Sequence, residues 1–192
     1  MAAERNAALE ALLTRYSTPA LRLGEPGPSD VQIGFALEAA LRAPDHGALK
    51  PTRFVLIRGA ARARLSELFV RRMQQRMPPP PPGKIDKARA MPLAAPLIVA
   101  VVAHLRADNK VPEIEQLLAS GAAVMNLLNA FHAQGFGAIW LTGPNAYDAE
   151  LVAELGINAP QRCLGFVYVG SSTEPSRPRP VDQQLIVSEW NA

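Results

Sequence analysis

A chain of 192 residues, 48% of them hydrophobic, is long enough for one domain that buries its own core. Its mean hydropathy of +0.03 places it with globular rather than membrane or disordered chains. The formal charge of +3 comes from 16 Arg and 4 Lys against 17 Asp and Glu. These cations do not interleave with aromatics as on a nucleic-acid surface, so nucleic acid is not an expected partner.

A composition rich in Arg and Ala accounts for that charge; so do guanidinium forks that hold phosphate. The longest apolar stretches, 96–105 and 124–128, are too short to span a bilayer, and MAAERNAALEALL carries no signal pattern. The single Cys163 suits a reducing compartment, and the expectation is a cytoplasmic protein with no membrane partner.

Residues 3–14 read as a helix with Ala8, Leu9, Leu12 and Leu13 on an apolar face, stopped by Pro19. Ser29 and Gln32 form a capping box for a helix over 30–42, which must end before Ala43-Pro44. Residues 54–57 are a short buried strand. A helix over 60–77 follows, with Leu65, Leu68 and Phe69 inward and Arg71, Arg72 and Arg76 outward. The run Pro78 to Pro82 predicts an exposed loop or arm. Helix 84–91 leads into a β-branched strand over 96–105, covered on both faces.

The longest helix spans 113–134 and is apolar around most of its circumference, which predicts burial in the core or in a subunit interface. Strand 138–141, helix 148–155 and strand 163–169 follow, then a Pro- and Arg-rich tail with a possible last strand at 184–187. Helices and strands mix without strict alternation, which is the pattern of an α+β domain.

No Gly-x-Gly-x-x-Gly after a strand, P-loop or nucleophile elbow occurs. His46, His104 and His132 lie far apart with no cysteine cluster, so no metal is expected, and the usual signatures of a catalytic side chain are missing. Arg15-Tyr16-Ser17 offers a fork and a hydroxyl that suit a phosphate monoester; taken alone, the triplet reads more readily as a helix ending in a solvated cation. Arg42-Ala43-Pro44-Asp45-His46 is a polar cluster pinned by proline, or a structural turn.

The order of these motifs is more specific than any one of them. Arg-x-Ser after helix one, Arg-Ala-Pro-Asp-His before a Pro-x-x-Phe strand, and a buried helix closing on Gln134-Gly135-Phe136-Gly137-Ala138-Ile139-Trp140 resemble the nitroreductase family over residues 9–170. The resemblance implies an α+β homodimer with a mostly antiparallel sheet flanked by helices. One domain covers 1–192, with the tail 171–192 packed on the partner subunit. It implies FMN in clefts at the subunit interface, NADH or NADPH as electron donor, and a small-molecule acceptor such as a nitroaromatic or quinone. Flavin enzymes of the same fold that dehalogenate or turn over flavin, and a non-catalytic flavin binder, are the alternatives.

Carried over position by position, Arg15, Tyr16 and Ser17 meet the phosphate and ribityl end of FMN. Arg42 and His46 reach the flavin in the neighbouring cleft, and Leu141, Thr142 and Gly143 lie against it. Phe131, His132, Ala133, Gln134, Gly135 and Phe136 match a segment for the nicotinamide nucleotide, and Lys87 falls either near the flavin pyrimidine edge or on a solvated helix surface. Three departures stand out. Tyr16 replaces Arg or His, Thr52 replaces Trp, and Leu141 stands where close relatives carry Arg.

Overall fold

The computed structural model of the protein describes residues 5–172, 178, 180, 181 and 186–190. Its organising element is a five-stranded antiparallel sheet of β1 (Leu23–Gly24), β2 (Thr52–Arg58), β3 (Leu97–His104), β4 (Gly137–Leu141) and β5 (Gln161–Ser172). β3 lies between β2 and β5, and the far edge of β5 is shared by β4 and then β1. The register pairs Phe54 with Val101, Ile98 with Tyr168, and Trp140 with Val167. This is the expected α+β arrangement.

Alternation along β3 divides the core into two layers, because successive side chains point to opposite faces. Ile98, Ala100 and Val102 face Leu65, Leu68 and Phe69 of α3 (Ala61–Gln74), together with Leu151 of α7 (Ala149–Glu154). Leu97, Val99 and Val101 face Ile33 and Ala36 of α2 (Asp30–Ala40), and Val124, Leu127 and Phe131 of α5 (Glu113–Ala133). Both faces of β3 are therefore dry, as its unbroken apolar run requires.

The capping box is formed as expected. The Ser29 hydroxyl accepts from Gln32 N–H at 3.4 Å, and Gln32 Oε1 accepts from Ser29 N–H at 2.9 Å. Thr52 donates its hydroxyl to Ser120 Oγ at 3.0 Å and so joins β2 to α5.

Several expectations need correction. α1 (Ala7–Thr14) buries none of its residues: Leu9, Leu12 and Leu13 are 43, 55 and 47% exposed in the isolated chain. Periodicity marked an apolar face but not what covers it. Arg72 and Arg76 do not point into solvent; their side chains are 19% and 26% exposed and engage Asp148. Pro82 is not part of a loop but opens α4 (Pro82–Ala94), since a missing N–H costs nothing in a first helical turn. Asp148 caps α7 instead of entering it. β5 continues through Ser171 and Ser172, so the tail begins later than 171. β1 and the four-residue α6 (Gly143–Ala146) carry too few residues for any periodic signal. Of the possible strand 184–187, residues 184 and 185 lie outside the described residues; Ile186 and Val187 are exposed and in no strand.

Candidate functional site

Two concavities open along β4, one at each end. The first, of about 130 Å³, is lined by Arg15, Tyr16, Thr18, His132, Gly135 and Phe136 and sits where β4 starts. Just past α1 the chain is extended at Arg15, and Ser17 forms a parallel bridge with Ala138. Thr18 N–H then donates to Ala138 O at 3.0 Å. This edge contact presents Arg15 and Tyr16 on one side of β4.

Arg15 forms no ion pair among the described residues, although its charge is felt by His132. Burial first, and then the Arg15 charge, lower the His132 pKa from its usual 6.5. His132 Nε2 lies 3.0 Å from the Thr14 hydroxyl. Beside Arg15 the Thr18 side chain is 1% exposed, and its hydroxyl oxygen has no hydrogen-bond partner. A buried hydroxyl without a partner is rare because it costs about 1–3 kcal/mol. An uncompensated guanidinium and an unpartnered hydroxyl in one cavity fit a phosphate group.

The second concavity, of about 520 Å³, lies at the other end of β4, roughly 15 Å away at a strand rise of ~3.3 Å per residue. Leu141, Thr142 and Gly143 line it, together with Trp140, Phe166, Tyr168, Met73 and Met91. Its charged lining residues are Lys84 and Lys87 of α4, three residues apart and hence on one helix face. Burial pushes the Tyr168 phenol upward, so it stays neutral.

Trp140 is fixed by its indole N–H, which donates to Leu164 O at 3.0 Å. That carbonyl lies at the irregularity in the β3–β5 register, where Val101 pairs with Gly165 and Val102 with Cys163. Gly165 has a φ of +122°, and a Cβ there would stand 2.6 Å from Leu141 O and 2.8 Å from Trp140 Nε1. A glycine is required at this bulge.

The segment after β4 is clamped to α3. Arg76 donates to Asn145 Oδ1 at 2.8 Å, and Arg72 Nε donates to both Asp148 carboxylate oxygens at 3.1 Å. The Asp148 carboxylate also accepts from Leu151 N–H at 3.0 Å. Burial pushes the Asp148 pKa up, but the Arg72 hydrogen bond, the Leu151 amide and the two guanidinium charges outweigh it and hold it below 3.8. A depressed carboxyl pKa gives stability that is present above the unfolded value and lost as pH falls through the folded one. Asp148→Ala should therefore cost about 2 kcal/mol near neutral pH through the lost cap and the lost hydrogen bonds from Arg72. Urea titrations at several pH values should show the gap between variant and wild type closing below pH ~4.

The structure brings some expected residues together and leaves others apart. Arg15 and Tyr16 share the first cavity with His132, Gly135 and Phe136, and Leu141, Thr142 and Gly143 share the second with Lys87. Ser17 contributes its backbone bridge and lines neither. Phe131 and Phe136 are core residues in edge contact at 6.5 Å, which leaves His132, Ala133, Gln134 and Gly135 as the more accessible part of that segment. Gln134 is itself engaged with Gln32 O and Ala130 O.

Arg42 and His46 line neither concavity. They lie on the exposed face beyond α2, paired with Glu38 and Glu115 respectively. Sequence reasoning missed Thr18, although it directly follows the Arg-Tyr-Ser triplet, and it missed Lys84 and Gly165. Among the described residues no group of three or more His, Cys, Asp or Glu could hold a metal. No described helix is long and apolar enough to cross a membrane.

Known proteins supply an independent line. The chain is 39% identical over 165 residues to an Escherichia coli K12 protein named "Putative NAD(P)H nitroreductase YdjA", covering 85% of this chain and 87% of that one. A Haemophilus influenzae protein with the same description, lacking the last word, is 32% identical over 168 residues, with 87% and 89% covered. Among solved structures, a nitroreductase-like family protein from Bacillus cereus superposes with a TM-score of 0.79 at 18% identity over all of both chains. A Desulfitobacterium hafniense nitroreductase with bound FMN gives 0.71 at 16% identity, covering 97% of this chain and 100% of its own. The model of the nitroreductase family matches residues 15–171, from the Arg15 that opens the first cavity to the strand β5 behind the second. The chain belongs to the nitroreductase family.

Proposed function

We propose that the protein is an FMN-dependent oxidoreductase that passes electrons from NADH or NADPH to small oxidised acceptors, nitroaromatics and quinones among them. The observation that carries this reading is the first cavity, where the Arg15 guanidinium has no anionic partner among the described residues and the Thr18 hydroxyl is buried without a hydrogen bond. Arg15, Thr18 and the neighbouring Tyr16 and Ser17 would hold the phosphate and ribityl end. Thr142 and Gly143 would bring backbone against the ring, and Lys84 and Lys87 would set positive charge beside it. Bound FMN supplies the hydride and electron chemistry, and the protein supplies binding, orientation and electrostatics.

No side chain is required as a nucleophile on this reading. His132 and Gly135 line the first cavity, and the segment 131–136 would meet the nucleotide end of a donor whose nicotinamide lies against the flavin ring. Donor and acceptor take turns in one cleft, which is a ping-pong sequence. Leu141 leaves the second concavity without the arginine of close relatives, and Lys84 and Lys87 are the cations lining it.

The working form on this reading is a homodimer. Leu9, Leu12 and Leu13 of α1, Phe35 of α2, and Ile114 and Leu118 of α5 are exposed apolar side chains that a second copy would cover. Arg42 and His46, which reach no cavity of their own subunit, would reach the neighbour's.

The test is spectroscopic. Purified protein should be yellow, should bleach when NADH or NADPH is added without oxygen, and should recolour when a quinone or nitroaromatic follows. Light scattering should give twice the 20.6 kDa chain mass. Protein that takes up no FMN overturns the reading. Protein that holds FMN but consumes no nicotinamide nucleotide with any acceptor is a flavin binder, and reduced protein that recolours with a halogenated substrate or free flavin but not with quinones or nitroaromatics would point to the alternative reactions.

A further inference from the structure

His46 opens a tight turn between α2 and β2. Gly47 in that turn has a φ of +74°, and Asp45 Oδ2 accepts from Lys50 N–H at 2.7 Å. A Cβ on Gly47 would meet Val111 Cγ2 at 3.3 Å, so the turn packs on the loop that precedes α5. That loop is itself fastened. Gln116, 2% exposed, accepts from Arg106 N–H at 2.9 Å and donates to Arg106 O at 3.1 Å and Val111 O at 3.0 Å. The residue next to this anchor, Glu115, reaches back with Oε2 2.5 Å from His46 Nδ1.

A carboxylate only accepts hydrogen bonds, so the proton of this contact sits on Nδ1 of the imidazole. Free imidazole of histidine carries its proton mainly on Nε2, and the carboxylate reverses that preference. In the neutral ring Nε2 is then an acceptor, and the ring plane is set by the Glu115 contact and the packed turn. Orientation and tautomer control by a partner on the other ring nitrogen is the general way in which a histidine is prepared for a ligand.

We propose that Glu115 is a positioning residue for the cofactor contact of His46, presenting Nε2 as a hydrogen-bond acceptor towards the flavin held in the neighbouring subunit. The inference rests on the reading of His46 as the residue that reaches that flavin. Through it, the first turn of α5 in one subunit acts on the cleft of the other. Glu113, two residues earlier, is engaged instead with Arg162 at 2.6 Å and serves as an internal control.

The experiment compares wild type, Glu115→Ala, His46→Ala, the double variant and Glu113→Ala, each as the purified full chain. Alanine is well tolerated in a helix, so loss of Glu115 leaves α5 intact. Nitrogen NMR of the imidazoles, with His46 identified by its loss in His46→Ala, should show protonated Nδ1 in wild type and an Nε2–H ring in Glu115→Ala. FMN titration of the apoproteins should show about fivefold weaker binding for Glu115→Ala and about tenfold for His46→Ala, as expected for one lost hydrogen bond. The double variant should bind no more weakly than His46→Ala, because the two residues act as one unit. Glu113→Ala should match wild type in both measurements.

A Glu115→Ala protein that keeps the Nδ1–H signature overturns the proposal, as do additive losses in the double variant or an equal loss in Glu113→Ala. If His46→Ala weakens FMN and Glu115→Ala does not, Glu115 has no positioning role while His46 keeps its place. If His46→Ala binds FMN like wild type, the placement of His46 at the flavin fails, and the proposal fails with it.

Discussion

Gly165→Ala should destabilise the protein by about 4 kcal/mol and release its flavin. Two costs combine. The φ of +122° belongs to a region that side chains avoid, worth about 1–3 kcal/mol. The added Cβ would also stand 2.6 Å from Leu141 O, on backbone that cannot rotate away as a side chain could, which adds a further 1–3 kcal/mol or so of overpacking. Relief requires β4 to move off β5 where Trp140 is tied to Leu164 O, and this is the strand end that leads into Thr142 and Gly143. Urea unfolding followed by tryptophan fluorescence measures the first effect, and ultrafiltration of bound FMN the second. A variant with wild-type midpoint and full flavin content would mean that the bulge is not held as described.

Arg15→Ala should weaken FMN binding 10- to 100-fold while leaving the unfolding midpoint of the apoprotein nearly unchanged. Loss of a charge-assisted hydrogen bond to phosphate is worth about 1.5–3 kcal/mol. Arg15 makes no ion pair among the described residues, so removing it breaks no structural contact of that kind. The signature is thus a separation between affinity and stability, read by FMN titration and by thermal melting of the apoprotein. Riboflavin, which lacks the phosphate, should bind wild type and variant alike. Equal loss of riboflavin affinity would move Arg15 away from the phosphate end.

Elements whose causes are local were readable in the sequence. Ser29 and Gln32 bond to each other within one turn, so the start of α2 was visible. The run 97–103 is apolar at every step because both of its faces are covered, and that alone marks β3 as central. Causes that lie far along the chain were not readable. Asp148, where the predicted helix starts, is its cap, but its engagement with Arg72 joins positions 76 apart. Leu9, Leu12 and Leu13 have the spacing of a buried face, and periodicity does not say whether the covering surface belongs to the same chain.

The site divides in the same way. Arg15, Tyr16, Leu141, Thr142 and Gly143 were found through a resemblance in motif order, and the structure places them at the two ends of β4. Thr18 escaped notice because its significance lies in a missing partner, which depends on what the fold packs around it. Lys84 escaped because nothing in a helix-surface lysine tells it from a solvated one until Leu141 is seen beside it. Gly165 escaped because a bulge is defined by two strands, and its partner strand lies some sixty residues away.

The position of β5 also bears on how the chain is made. β1 and β4 each find their strand partner in β5, and β3 has its second edge satisfied there, yet β5 follows all of them in chain order. A ribosome working from the N-terminus can release the β2–β3 pair early, but the nascent chain must wait for residues 161–172 before the rest of the sheet can close. During that interval the valine-rich edge of β3 is an unpaired template for other chains, the circumstance in which slow, non-local sheets aggregate. Premature termination between β3 and β5 therefore leaves an adhesive fragment and no smaller working unit.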